Sequence, residues 1–162
     1  VTAKIRFHPR GYQLNVFMIK QMPKIINGES FKDERGQLEF YNTFDMSPIK
    51  RIYFTSHFNT NVVRAWQGHL TESRWFCCVK GSFIVKLVQI DNWQKPSKDL
   101  TVYEYKLLSK TQEILYIPNG YANGFKALEA NAKLMIMSNF GFNEIENDQI
   151  RFDQNQWTKW DN

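Results

Sequence analysis

The sequence predicts an all-β fold, an antiparallel sandwich or barrel with little helix. Three observations support this prediction. Short stretches alternate apolar and polar residues, turn residues separate these stretches at intervals of roughly 8–12 residues, and no long segment has the 3.6-residue period of a helix. Aromatic residues favour pleated surfaces, and they make up 15% of the chain.

The predicted strands follow one another in chain order. Residues 102–107 alternate strictly, which indicates a strand with one buried face. Residues 82–90 are apolar on both faces and predict a strand deep in the sandwich. The other predicted strands lie between turn signals, at residues 49–55, 62–66, 74–79, 114–117, 124–128 and 133–138. Helix is expected only over a turn or two near residues 143–149.

Length and composition bound the class of protein. The 162 residues predict a single domain, 1–162, long enough to build a core without disulfides. The two cysteines, Cys77 and Cys78, are neighbours and cannot link distant segments, which favours a reducing, cytoplasmic setting. The sequence shows no signal peptide and no stretch of the length that spans a membrane, so we expect no membrane partner.

Charge leaves a nucleic-acid partner or a phosphate ligand open. The net charge is +5 and the isoelectric point is about 9.2, values that suit either partner. No nucleic-acid recognition motif accompanies the charge, so we expect no nucleic-acid partner.

Four segments carry a more specific pattern. They are Asp-Glu-Arg-Gly at 33–36, Arg-Ala-Trp-Gln-Gly-His at 64–69, a stretch from Arg74 to Gly81, and Ile-Pro-Asn-Gly-Tyr-Ala-Asn-Gly-Phe at 117–125. In order and separation they resemble the dTDP-4-dehydrorhamnose 3,5-epimerases and the related dTDP-sugar ketoisomerases, which are cupins. The family's runs are D-x-R-G, R-G-x-H, a basic residue seven before a glycine, and I-P-x-G-x-A-H-G-F.

The resemblance implies a cupin jelly-roll barrel, an antiparallel double sheet, whose mouth holds a nucleotide sugar. The implied function is a dTDP-4-keto-6-deoxyhexose epimerase or ketoisomerase in deoxysugar and polysaccharide biosynthesis. Its proton transfer alpha to the keto group needs no metal and no other cofactor. The implied substrate-binding residues are Arg64 and Arg74 on the diphosphate, Arg35 reaching it across a homodimer interface, and Tyr121 and Asn123 near the sugar.

The sequence departs from the family at the positions that transfer protons. The histidine base of R-G-x-H is Gln67, whose amide cannot accept a proton near neutral pH. The histidine of A-H-G-F is Asn123, and the tyrosine acid maps to about Met135. His69 matches the second member of the ketoisomerases' His-x-His pair, so His69 and Gln67 are the candidate catalytic residues. We therefore expect weak 3,5-epimerase activity at most.

Two alternatives stay open for these residues. The chain can be a nucleotide-sugar-binding cupin that has lost turnover and acts as a scaffold or regulator. Gln67, His69 and Asn123 can also form a satisfied polar network inside the barrel. One imidazole with the imperfectly spaced Glu72 makes a poor transition-metal site, so we expect no bound metal.

Strand periodicity makes further predictions about orientation. Strict alternation turns Arg64 away from Gln67 and His69, and only a bulge in the strand would reverse this. Alternation also places Cys77 and Cys78 on opposite faces. His8 and His57 are expected at the surface.

Overall fold

The computed structural model describes residues 21–161, apart from the side chains of residues 145–147. Their strands form two five-stranded antiparallel sheets and a separate two-stranded hairpin. The strands are β1 (Lys24–Asn27), β2 (Glu29–Asp33), β3 (Gly36–Phe40), β4 (Arg51–His57), β5 (Val63–His69), β6 (Arg74–Lys80), β7 (Ser82–Gln89), β8 (Val102–Leu108), β9 (Glu113–Ile117), β10 (Tyr121–Ala127), β11 (Ala132–Ser138) and β12 (Ile150–Arg151).

The pairing of these strands is that of a jelly roll. The first sheet has the order β1-β9-β6-β11-β4 and the second has the order β12-β5-β10-β7-β8, while β2 pairs with β3. Strands β4 to β11 thus behave as one long folded-over ribbon, in which β4 pairs with β11, β5 with β10, β6 with β9 and β7 with β8. Successive pairs alternate between the two sheets, which is how a rolled ribbon forms a double sheet.

The predicted strands are confirmed, but the short strands of the structure were not predicted. Each of the eight predicted segments overlaps one of β4 to β11. The missed strands are β1, β12 and the exposed hairpin β2–β3, which are two to five residues long and carry too little alternation to be recognised. The predicted turn or two of helix is a 3-10 helix at Phe142–Asn147. Among residues 21–161, no helix is long and apolar enough to cross a membrane.

The main core lies between the two sheets. It is built from apolar side chains of both sheets, among them Phe76, Leu115 and Leu134 from the first and Phe83 and Leu87 from the second. Burial of these side chains from water holds the sheets together. Cys77 and Cys78 belong to different clusters, so their predicted orientation to opposite faces is confirmed.

The outer face of the second sheet is covered by the end of the chain. Trp66 is fully buried there against Trp160 and Trp157, with ring centroids 5.4 and 5.3 Å away. Gly124 is needed beneath this cover, since a Cβ atom on it would lie 2.5 Å from Ala65 Cβ and 2.7 Å from the Trp160 ring. The close approach fixes β10 against β5, the strand that carries most of the predicted site.

Candidate functional site

A cavity of about 350 Å³ brings together four of the predicted site residues. They are Arg64 and Gln67 on β5, Arg74 on β6 and Asn123 on β10. The remaining lining residues come from β4, β5, β10, β11 and β12: Tyr53, Thr55, Val63, Ala65, Phe125, Ile136 and Arg151.

A bulge in β5 places Arg64 in this cavity. Asn123 pairs with Gln67, but Phe125 pairs with Arg64, so β5 has one more residue than β10 over the same interval. The extra residue reverses the alternation, and Arg64 and Gln67 both line the cavity. The expectation from strict alternation, that Arg64 faces away, is therefore wrong.

Among residues 21–161, three guanidinium groups and no carboxylate line the cavity. Arg74 is paired with a carboxylate, Glu72, behind the cavity wall. Among the described residues, neither Arg64 nor Arg151 forms an ion pair. A pocket with an excess of arginine and walls that include Phe125 and Ile136 concentrates positive potential and favours an anionic ligand.

Glu72 is a fully buried carboxylate that connects the strands around the cavity. Arg74 donates to both of its oxygens, with Nε–Oε1 and Nη2–Oε2 distances of 3.1 and 3.2 Å. Ser138 Oγ donates to Oε1 at 2.6 Å, and Arg51 Nη2 lies 3.6 Å from the same oxygen. This set of donors compensates the charge that burial removes from water.

Asp148 holds the segment that carries Glu72. Its carboxylate accepts hydrogen bonds from the backbone N–H groups of Leu70, Thr71 and Glu72, with N–O distances of 2.8, 3.0 and 2.6 Å. Three donors on one carboxylate fix the backbone between β5 and β6. Glu72 is thereby aimed between the sheets.

His69 lies beside Glu72 and does not line the cavity. Its Nδ1 is 2.9 Å from Glu72 Oε2 and 2.9 Å from the carbonyl oxygen of Asp148. Both neighbours are acceptors, so Nδ1 carries the proton and Nε2 is the acceptor in the neutral ring. Burial lowers the pKa of His69, although the hydrogen bond to Glu72 opposes this shift. Nε2 is buried and has no partner among the described residues.

His69, Glu72 and Asp148 lie close enough together to be compared with a metal site. Their donor atoms are already used, because Glu72 accepts from Arg74 and Ser138 and Asp148 accepts from three backbone N–H groups. The guanidinium of Arg74 would also repel a cation at this point. These residues do not fit a metal ion.

Two predicted binding residues lie outside the cavity. Tyr121 is 1% exposed in the main core, where its hydroxyl donates to Met22 Sδ at 3.5 Å. Burial raises the pKa of Tyr121 to about 12. Arg35 is at the tip of the β2–β3 hairpin, where it pairs with Asp33 and its side chain is 82% exposed.

The structure also shows which way the side chains of Met135 and Cys78 point. Met135 packs in the cluster on the outer face of the first sheet, while its neighbour Ile136 lines the cavity, so no acid replaces the family's tyrosine on this strand. Cys78 is core, and burial raises the pKa of its thiol to about 11.

His57 was expected at the surface, but it is 1% exposed because it ends β4 against Phe83 and Phe125. His8 lies outside the described residues.

Sequence reasoning missed Tyr53, Thr55 and Arg151 as lining residues. Tyr53 and Thr55 are two residues apart on β4, so their side chains lie on the same face of the strand. Alternation would have predicted both, had the sequence shown which face of β4 points to the cavity. Arg151 lies on a two-residue strand for which periodicity gives no signal.

Comparison with known proteins gives the family. The family model described as WxcM-like, C-terminal (FdtA) matches residues 17–159. The chain belongs to this family. Among curated protein sequences, none matches the chain.

Solved structures agree on the fold of this WxcM-like chain. The 3,4-ketoisomerase from Helicobacter canadensis is 22% identical, with a TM-score of 0.64 over 80% of this chain and 90% of that chain. A dTDP sugar isomerase from Desulfovibrio desulfuricans is 19% identical, with a TM-score of 0.66 and coverage of 82% and 85%. The dTDP-4-dehydrorhamnose 3,5-epimerase from Bacillus anthracis is 13% identical, with a TM-score of 0.68 and coverage of 82% and 79%. The described jelly roll is thus the predicted cupin fold, shared with dTDP-sugar ketoisomerases and epimerases.

Replacement of Glu72 by glutamine tests its place in the site. Burial raises the pKa of Glu72, but the hydrogen bonds and charges of His69 and Arg74 outweigh burial and lower the pKa to about 2. The wild type therefore holds a stabilising contribution above pH 4.5 that is lost as the pH falls toward 2, about 3 kcal/mol in the free energy of unfolding. We expect Glu72→Gln to lack this pH-dependent component and to be less stable at pH 7 by roughly 3–5 kcal/mol.

Urea unfolding between pH 2 and 7 measures both effects. Glu104→Gln is the matched control, because Glu104 is an exposed carboxylate paired with Lys86. It should leave the pH dependence close to that of the wild type. Equal pH profiles for Glu72→Gln and the wild type would contradict the assigned role.

Proposed function

We propose that the protein binds a dTDP-4-keto-6-deoxyhexose and catalyses its isomerisation or epimerisation alpha to the keto group, in deoxysugar and polysaccharide biosynthesis. The observation that carries this proposal is the cavity lined by Arg64, Arg74 and Arg151 and, in the part of the chain that the structure describes, by no carboxylate. Its volume suits a small ligand. The B. anthracis epimerase, which shares the fold, was crystallised with TDP and PPi bound. The free thiols Cys77 and Cys78 support a reducing, cytoplasmic setting.

The diphosphate is assigned to the arginines. Arg64 and Arg151 bring charge that no carboxylate among the described residues neutralises, and a guanidinium fork binds phosphate oxygens in pairs. Arg74 differs because Glu72 already holds it at Nε and Nη2. Such a fixed cation binds an anion without first being ordered, which lowers the entropic cost of binding.

The proton chemistry is assigned to His69 and Tyr53. A proton alpha to a carbonyl is removed by a base while the developing enolate is stabilised. His69 has a neutral ring with an unpartnered Nε2, whereas Gln67 is in the cavity and cannot act as a base. Tyr53 presents the one hydroxyl of phenol type in the cavity lining and is the proposed acid. The Asn123 amide, which donates to the backbone carbonyl of Gln67, is left with its oxygen for a sugar hydroxyl.

One observation favours a second function, binding without turnover. No imidazole and no carboxylate is among the described residues that line the cavity, and the Arg74–Glu72 pair lies beside His69. A cupin with this lining can hold a nucleotide sugar and act as a scaffold or regulator.

Arg35 enters the proposal through a homodimer. The β2–β3 hairpin pairs with no other described strand, and it exposes Phe31 and Leu38 as well as Arg35. An isolated two-stranded hairpin is marginally stable in water. A two-fold partner that covers the hairpin would bury its apolar residues and bring Arg35 to the partner's cavity.

The arginine assignment predicts the binding of dTDP. We expect Arg64→Ala, Arg74→Ala and Arg151→Ala each to weaken binding by roughly 1.5–3 kcal/mol, the usual value of a hydrogen bond to a charged group. Isothermal titration calorimetry measures the loss. Lys133→Ala is the control, since Lys133 lies over Phe54 on the exposed face of β4 and β11. If all three arginine variants bind as tightly as the control, the pocket is assigned wrongly.

The His69 assignment predicts isotope exchange. The wild type in heavy water should incorporate deuterium into dTDP-4-keto-6-deoxyglucose at one carbon, and His69→Ala should abolish the incorporation. Mass spectrometry measures the label. Incorporation that survives in His69→Ala contradicts the role of His69, and double incorporation by the wild type contradicts the expected loss of 3,5-epimerisation.

No incorporation by the wild type would favour the binding function. Gln67→His then separates two reasons for inactivity. A gain of exchange in this variant shows that the pocket is intact and lacks only the base of the R-G-x-H motif.

The dimer predicts a mass and a shared site. Light scattering at micromolar concentration should give twice the monomer mass, and Leu38→Asp should shift the protein toward monomer because it places a charge in the proposed interface. Arg35→Ala should keep the dimer and weaken dTDP binding. A monomeric wild type would contradict the shared site.

A further inference from the structure

His57 is a buried histidine bound to one of the cavity arginines. It is the last residue of β4 and is 1% exposed. Arg64 Nε donates to His57 Nε2 at 3.3 Å. A guanidinium keeps all its protons in proteins, so this bond exists only while His57 Nε2 is unprotonated. The proton of the neutral ring is then on Nδ1, which is buried and has no partner among the described residues.

One charged group of the described part of the chain acts on His57, in otherwise apolar surroundings. The β7 strand presents Phe83, with ring centroids 5.4 Å apart, and β10 presents Phe125, which stacks on the imidazole at 5.6 Å. Its pairing partner on β11 is Ala132. Among the described residues, Arg64 on β5 is the charged group that acts on His57. Within residues 21–161, no carboxylate acts on His57 to stabilise an imidazolium.

The bond to His57 determines which edge of Arg64 is free. A guanidinium offers two edges to a bidentate acceptor, one formed by Nε with an Nη and one formed by the two Nη groups. His57 occupies Nε, so the end of the fork with both Nη groups is left for the cavity that Arg64 lines. An arginine held at Nε also loses less rotamer freedom when it binds a phosphate.

We propose that His57 is a positioning residue: its neutral imidazole holds Arg64 toward the diphosphate, and its protonation releases Arg64 and weakens nucleotide-sugar binding in acid. The ligand in this proposal rests on the proposed function. The pairing of His57 with Arg64 does not, and the two can be tested apart.

The direction of the pH effect follows from the environment. Burial, and then the charge of Arg64, lower the pKa of His57 below its ordinary value of 6.5. The ring is therefore neutral at pH 7, and affinity should be constant above pH 6.5. Below that pH, protonation removes the acceptor and sets two cations side by side, so affinity should fall. An imidazolium that simply attracted the ligand would give the opposite result, tighter binding in acid.

Calorimetry with dTDP-glucose between pH 5 and 8 tests the coupling. This probe is chosen because its diphosphate is esterified at both ends and lacks the ionisation near pH 6 of a terminal phosphate. We expect binding to weaken as the pH falls through the pKa of His57 and to be roughly tenfold weaker once the ring is protonated, the loss of about one charge-assisted hydrogen bond. His57→Gln keeps an acceptor without titrating, so its affinity should be close to the wild type at pH 7.5 and flat with pH. His57→Leu should bind roughly tenfold more weakly and also be flat.

Three results would overturn the proposal: affinity that rises in acid, a pH dependence that persists in His57→Gln, or unchanged affinity in His57→Leu. Arg64→Met supplies a further check, because adding His57→Leu to it should cost no more affinity if His57 acts through Arg64.

A readout without ligand tests the pairing itself. Histidine NMR should show a pKa of His57 below 6.5 in the wild type and a higher one in Arg64→Met, where the neighbouring positive charge is gone. An unchanged pKa would overturn the pairing. If the pKa rises but the wild type binds no dTDP-glucose at any pH, the pairing stands, and the proposed function and the binding half of this proposal fail together.

Discussion

The buried carboxylate of Glu72 is the charge on which the arrangement of the site depends. It receives Arg74 of β6 and Ser138 of β11, it touches His69 of β5, and Arg51 of β4 is nearby. Strands of both sheets therefore meet at one charge. An uncompensated carboxylate in this place would be strongly destabilising, so the donors around it have to keep their positions. Asp148 secures the other side by fixing the backbone that carries Glu72.

The buried partners of Glu72 neutralise it behind the cavity wall. The described charged side chains that line the cavity are therefore all positive. One side of the Arg74 guanidinium is bound to Glu72, and Arg64 is held by a neutral imidazole. Arg151 forms no ion pair among the described residues. Holding an arginine with a histidine orients it without reducing its charge. The cavity thus keeps a positive field that a second carboxylate would have cancelled, and this field is what a diphosphate requires.

The features that could be predicted from the sequence are those with a recurring pattern along it, such as the alternation within strands. Alternation and turn residues predicted β4 to β11. The resemblance of the spaced motifs to the epimerase family selected Arg64, Gln67, Arg74 and Asn123, which line one cavity, together with His69, Tyr121 and Arg35, which do not. Local departures from the alternation could not be predicted. The β5 bulge changes the face of Arg64 by one inserted residue, and no residue type signals it. The burial of His57 and the capture of Leu70, Thr71 and Glu72 by Asp148 depend on contacts between residues far apart in sequence, which periodicity cannot contain.

The same buried network sets the basicity of His69. After burial, the hydrogen bond to Glu72 raises the pKa of His69 and the charge of Arg74 lowers it. With Nδ1 fixed by Glu72 and Asp148, a proton gained by the ring would go to Nε2, the unpartnered nitrogen. In the neutral ring Nε2 is thus unprotonated, the state that a general base requires, whereas Gln67 in the cavity has no group that titrates near neutral pH.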